Sequence, residues 1–238
     1  LTVEEILVRS SNVGSVILAK KIGEGKFQEF IKNTKITNNP KIELEEIGTP
    51  HQIKWNKCKL ETISYGHGIT TTPLQATALY AAMSNGGKLI KPSLIKDRKI
   101  ENSDTIISKK TSQEINKILR KVVTSKEGTA SLANKNGYYV GGKTGTAESY
   151  GDKKNRINTF ISIFPSNRPN YTLFVMLENP KINKNLIYNY RGVKTKAPYN
   201  TSGWNSVYVA GKIIEKIGPI LAINTNEFNS QHVVEKIN

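Results

Sequence analysis

Gly137-Tyr-Tyr-Val-Gly-Gly-Lys-Thr-Gly-Thr-Ala-Glu148 is the segment of this 238-residue chain from which its architecture is read most directly. Tyr138, Tyr139 and Val140 favour an extended backbone. Gly141, Gly142 and Gly145 withhold side chains from one face, so that a second backbone can approach closely. Lys143, Thr144 and Thr146 add a cation and hydroxyls beside that edge, which suits an extended peptide with an acidic terminus. The same letters fit the nucleotide-binding pattern G-x-x-x-x-G-K-[ST] from Gly137 to Thr144. That pattern needs a buried strand before its first glycine and a helix after its lysine. Ser131–Asn136 has no apolar run, and Tyr150-Gly-Asp-Lys-Lys-Asn155 is turn chemistry. The context argues against a phosphate cradle.

Outward from this segment the period stays at two. Ile157–Phe164 and Tyr171–Glu178 are apolar β runs joined by Pro165-Ser-Asn-Arg-Pro-Asn170, a hairpin signal. With residues 138–147 they predict three consecutive antiparallel strands. Lys181–Ser202 is polar and loop-like, and Trp204–Ile217 is an amphipathic helix with Trp204, Val207, Gly211 and Ile214 on one face. Upstream, Thr111-Ser-Gln-Glu114 is a capping box before Ile115, Ile118, Leu119, Val122 and Val123 at helical spacing. Thr72 caps a helix that has Pro73 at its first position and stops at Asn85-Gly86-Gly87. Lys88–Ile95 is extended, Ser64–Gly68 is a turn, and residues 34–60 are mostly irregular. Near the start, helices over Thr2–Arg9, Val13–Lys21 and Lys26–Asn33 are interrupted at Ser10-Ser11-Asn12 and at Gly23 and Gly25. The fold class is α+β, an antiparallel sheet with packed helices.

Composition narrows the function. The 37% hydrophobic content supports a buried core, and no apolar run approaches the roughly 20 residues of a membrane span. The single Cys58 excludes an internal disulfide, and Cys58 with His51 does not supply a metal cluster. Lysine and arginine number 35 against 19 acidic residues, a formal charge of +16. These cations are spread along the chain without an arginine-rich helix or an aromatic-interleaved patch, so a solvated basic surface is expected and a nucleic-acid partner is not. His51, His67 and His232 have no G-x-S-x-G elbow to serve.

Ser10-Ser11-Asn12 and Lys143-Thr144-Gly145, in that order, match the second and third of three motifs in penicillin-binding proteins and serine β-lactamases. Ser64-Tyr-Gly-His-Gly-Ile69, Thr72-Pro-Leu-Gln75, Asn85-Gly-Gly87, Gly128-Thr-Ala130, Phe164-Pro165 and Gly203-Trp204 extend the likeness over nearly the whole chain. The sequence most resembles class B penicillin-binding proteins, specifically the division-type peptidoglycan D,D-transpeptidase. A β-lactamase of the same superfamily shares these motifs. The long interval from Ser10 to Lys143, with no acidic deacylation motif in it, argues against that alternative.

The resemblance implies a penicillin-binding transpeptidase fold and a serine acyl-enzyme acting on stem peptides ending in D-Ala-D-Ala, with β-lactams as substrate mimics and no cofactor. It implies that Ser10 relays a proton and that Asn12 hydrogen-bonds the substrate peptide. Ser11 belongs to the pocket wall. Lys143 supplies positive potential, Thr144 and Thr146 bind the substrate carboxylate beside Gly145, and the Thr146 backbone N–H is half of an oxyanion hole. The family's nucleophile and its lysine, S-x-x-K, lie upstream of the S-x-N motif, and none of the nine residues before Ser10 forms that pattern. Residues 1–222 are therefore expected to be the C-terminal portion of an N-terminally truncated transpeptidase domain, inert by itself, with 223–238 a polar tail. The family also implies the periplasmic face of the bacterial inner membrane, a membrane glycosyltransferase partner and divisome proteins. The alternative from a different class is a non-catalytic fragment of a split gene.

Overall fold

A computed structural model describes residues 1–98, 103–148 and 155–221. The turn read over Tyr150–Lys154 and the tail at 223–238 lie outside the described residues. The chain divides into two compact units, Leu1–Ile118 and Leu119–Asn238.

The first unit is helical. Thr2 opens α1 (Val3–Arg9) with a reciprocal capping box. Its hydroxyl accepts from the Glu5 N–H at 3.2 Å, and Glu5 accepts from the Thr2 N–H at 2.7 Å. Helix α2 (Asn12–Ile22) and α3 (Glu24–Thr34) follow, the second taking in Gly25. The span from Lys35 to Cys58 is irregular, as expected, and then a short α4 (Lys59–Ser64) forms where no helix was expected. The predicted Thr72 cap is present: its hydroxyl accepts from the Gln75 N–H at 3.1 Å and Pro73 begins α5 (Pro73–Ser84). The stop after α5 uses left-handed glycines, Gly86 at φ 98° and Gly87 at φ 95°. A Cβ on Gly87 would lie 1.9 Å from the Ile107 carbonyl oxygen, so no other residue fits there. The stretch expected to be extended at Lys88–Ile95 makes only an isolated bridge, Lys88 to Thr105. Helix α6 (Lys109–Thr124) starts earlier than its letters suggest. Ser108, rather than Thr111, accepts the first-turn N–H, that of Thr111 at 3.1 Å. Thr111 therefore sits inside the helix, and Thr111–Glu114 is not a capping box.

The second unit holds the sheet. Strands β1 (Gly141–Glu148), β2 (Arg156–Phe164) and β3 (Tyr171–Glu178) run antiparallel in the order β1-β2-β3, with Lys143 opposite Ile161 and Gly145 opposite Thr159. This is the predicted meander. Its central strand is buried continuously from Phe160 to Phe164. Helix α7 (Ser206–Ile217) packs on β2 and β3 through Val207, Ala210 and Ile214. Fully burying a side chain the size of Val207 or Ile214 is worth about 1.5–3 kcal/mol, so this apolar layer stabilises the unit.

Two parts of the unit differ from the sequence expectation. Tyr138–Val140 is not strand. Residues 136–138 form a turn and Tyr139 sits at φ 46°. The polar stretch after β3 contains a second hairpin, β4 (Tyr188–Tyr190) and β5 (Val193–Thr195). Its two-residue turn, Arg191 at φ 54° and Gly192 at φ 85°, has the paired positive φ values that match strand twist.

Candidate active site

In the first unit, Ser10, Ser11 and Asn12 form the corner between α1 and α2. Ser10 ends α1 in the left-handed region (φ 57°, ψ 48°), an unusual conformation for a residue with a side chain. The Ser11 N–H donates to the Ile6 carbonyl at 2.9 Å, the bond that closes a left-handed helix end. The Ser11 hydroxyl then caps α2 by accepting from the Gly14 N–H at 3.1 Å. A Cβ on buried Gly14 would stand 2.5 Å from Ile6, so the corner can be tight only with glycine there. The outcome is an exposed Ser10 beside an exposed Asn12, with the Ser11 hydroxyl occupied by a local structural task.

In the second unit, β1 carries Lys143, Thr144, Gly145 and Thr146, and it pairs with another strand on one side only among the described residues. The Lys143 ammonium donates to the Thr144 carbonyl at 3.1 Å. Burial pushes its pKa down from 10.5 to about 8, because a charged amine loses solvation there. A lysine in that range can gain or lose a proton near neutral pH, which suits proton transfer. Thr144 and Thr146 both face away from Lys143, as strand alternation requires.

The β1 glycines have a different purpose from the one their letters suggest. A Cβ on Gly142 would meet the Ile161 carbonyl oxygen at 2.5 Å and the Phe160 ring at 2.6 Å. One on Gly141 would press on the Leu119 and Arg120 backbone at 3.1 Å, and one on Gly145 would meet the Thr159 hydroxyl at 2.5 Å. The missing side chains make room for the chain's own packing rather than for an incoming backbone.

Two residues to which the sequence reading gave no site role hold the threonines. The Thr129 hydroxyl lies 2.8 Å from the Thr144 hydroxyl. The Ser202 hydroxyl lies 2.8 Å from that of Thr146 and donates to the Gly145 carbonyl. Thr129 lies within the quoted Gly128-Thr-Ala130 and Ser202 directly precedes the quoted Gly203-Trp204, but their side-chain contacts are long-range and leave no local pattern. Behind Ser202, Trp204 stacks on Tyr190 with centroids 4.7 Å apart. The phosphate-cradle alternative does not survive. β1 runs unbroken through Lys143-Thr144 to Glu148, where that site requires a helix N-terminus.

Comparison with known proteins bears on the family and the fold. The description "Penicillin binding protein transpeptidase domain" matches residues 1–200. The probable peptidoglycan D,D-transpeptidase FtsI of Caulobacter vibrioides is 30% identical over 240 residues, covering 94% of this chain and 38% of that protein. Stage V sporulation protein D of Bacillus subtilis is 32% identical over 196 residues, covering 74% of this chain and 30% of that protein. Penicillin-binding protein 3 from Mycobacterium tuberculosis, solved with aztreonam, matches with a TM-score of 0.77 at 23% identity, over 91% of this chain and 52% of that one. The apo transpeptidase domain of Burkholderia pseudomallei penicillin-binding protein 3 gives 0.76 at 22% identity, over 92% and 65%. The fold is that of these transpeptidase domains, an antiparallel sheet with packed helices.

Proposed function

This chain belongs to the penicillin-binding protein transpeptidase family, and on that premise we propose that it serves a class B, division-type peptidoglycan D,D-transpeptidase. In the protein that carries it, a serine attacks the D-Ala-D-Ala carbonyl of a stem peptide, D-alanine leaves, and an amine of a neighbouring strand takes the acyl group. β-Lactams acylate the same serine. No S-x-x-K pair precedes Ser10, and the match at Ser93-Leu-Ile-Lys96 comes after the S-x-N motif, out of the family's order, so in this reading the nucleophile comes from sequence outside these residues and the chain alone is inert. Ser10 relays protons at the reacting centre, and Asn12 hydrogen-bonds the substrate's peptide. Lys143 supplies positive potential, Thr144 and Thr146 border the carboxylate subsite, and the Thr146 N–H donates to the oxyanion.

The observation that best supports this reading is the lysine of a Lys-Thr-Gly-Thr sequence on a strand that pairs on one side only among the described residues, its pKa lowered by burial to about 8. An extended peptide can pair with such an edge, while the cation attracts its terminal carboxylate. The family places such enzymes at the periplasmic face of the bacterial inner membrane beside a lipid-linked glycan polymerase and division proteins. Among the described residues no helix is long and apolar enough to cross a membrane.

Fluorescent penicillin tests the proposal. The 238-residue chain is expected to stay unlabelled, and the protein that extends it upstream through an S-x-x-K pair is expected to form a denaturation-resistant adduct. Ser10→Ala and Lys143→Ala should slow that labelling by at least about a hundredfold, the scale of losing a proton-transfer group. Labelling of the short chain, or none of the extended one, would count against it.

A further inference from the structure

The hydroxyls of Thr144 and Thr146 look equivalent in the sequence and are not equivalent in the structure. Ser202 is 1% exposed and begins the turn that leads into α7. Its carbonyl accepts from the Ser206 hydroxyl at 3.3 Å. Its own hydroxyl donates to the Gly145 carbonyl, which can only accept. A serine hydroxyl has one proton. The 2.8 Å contact between Ser202 and Thr146 is therefore donated by Thr146. The Thr146 oxygen also accepts the Ser202 backbone N–H at 3.3 Å. With its proton directed at Ser202, Thr146 presents to its exposed side only an acceptor lone pair.

Thr144 has no such constraint. Its 2.8 Å partner, the Thr129 hydroxyl, can supply the proton of that bond and leave the Thr144 proton for another acceptor. A carboxylate accepts hydrogen bonds and never donates them. We propose that Ser202 is a positioning residue that fixes the hydrogen-bond polarity of β1. By holding the Gly145 carbonyl and the Thr146 proton, it leaves Thr144 as the hydroxyl donor to the substrate carboxylate and turns Thr146 into an acceptor suited to an N–H group. This assignment rests on the function proposed above for its substrate, and on the structure alone for its hydrogen-bond order. It revises the symmetrical role that the family resemblance gives the two threonines.

The two layers are tested separately. On the 238-residue chain, selectively labelled threonine allows solvent-isotope shifts at Cβ to report whether a hydroxyl proton exchanges slowly. Thr146 is expected to show a slowly exchanging proton that Ser202→Ala releases. A freely exchanging Thr146 hydroxyl in the unsubstituted chain would overturn the hydrogen-bond order. On the upstream-extended protein, acylation rates with a carboxylate-bearing penicillin form a double-mutant cycle. Thr144→Val should cost about tenfold or more, the scale of a charge-assisted hydrogen bond, and Thr146→Val should cost much less. In the Ser202→Ala background the Thr146→Val penalty should appear, because the freed hydroxyl can then donate. Equal penalties in both backgrounds would sink the positioning role, since a merely structural loss at Ser202 would leave the ratio unchanged. If the unsubstituted extended protein is not acylated, the proposed function fails, while the isotope measurement still decides the hydrogen-bond order.

Discussion

Replacing Lys143 with methionine removes the ammonium while keeping most of the aliphatic stem, and it yields a pH-dependent stability difference whose sign is fixed. In the folded chain the lysine titrates near 8, and its unperturbed value is 10.5. Below pH 8 both states carry the proton and the cost of burying the charge is fully present. Between pH 8 and 10.5 the folded lysine is neutral while the unfolded one is still charged, so the unfolded state binds more protons and stability rises with pH. Above 10.5 the gain is complete. The fall from 10.5 to about 8 corresponds to roughly 3 kcal/mol, an upper figure because the side chain keeps some solvent contact. Urea unfolding of both chains at intervals from pH 7 to pH 11 measures the difference, and the other titrating groups cancel between them. The unsubstituted chain should gain on Lys143→Met by an amount approaching that figure across the window. Parallel curves, or a gain concentrated below pH 8, would show that Lys143 is not desolvated and would remove the basis for its proposed proton-transfer role.

Other substitutions separate packing from backbone conformation. Gly142→Ala places a methyl against the Ile161 carbonyl and the Phe160 ring, and urea unfolding should register a loss of about 1–3 kcal/mol. Gly192→Ala meets no atom within 4 Å but holds φ 85°, so its loss should stay near 1 kcal/mol and arise from the backbone alone. Phe160→Ala empties the centre of the sheet's apolar layer and should cost about 3–5 kcal/mol. Thr72→Ala deletes the α5 cap and should cost about 1 kcal/mol.

How much the letters disclosed depended on the range of the forces involved. Thr72-Pro73 and the Pro165–Asn170 hairpin are set by contacts within a few residues, and both were legible; the Thr2–Glu5 box is as local but was not singled out. Tyr138–Val140 has the composition of a strand, but distant partners hold it irregular. The Arg120 guanidinium donates to the Val140 carbonyl at 2.7 Å and lies over the Tyr139 ring, and the Ser166 N–H donates to the Tyr139 carbonyl at 2.8 Å. The β4–β5 hairpin was missed because its flanks are short and polar, although Arg191-Gly192 carried a usable turn signal. For the candidate site, the motif letters pointed to Ser10, Asn12 and Lys143–Thr146. Thr129 and Ser202 stayed hidden because one hydroxyl reaching another across the fold leaves no periodicity behind it.

The open side of β1 carries a hazard as well as a use. An edge strand's backbone can template whatever extended chain arrives, including another copy of the same protein. Glycine and lysine are poor sheet formers, and β1 contains Gly141, Gly142, Gly145 and Lys143 in eight residues. Self-pairing along it is correspondingly feeble and charge-repelled. A guest strand needs something further to stay, which in the proposed function is a terminal anion near Lys143, so the composition that weakens the strand also guards it against aggregation.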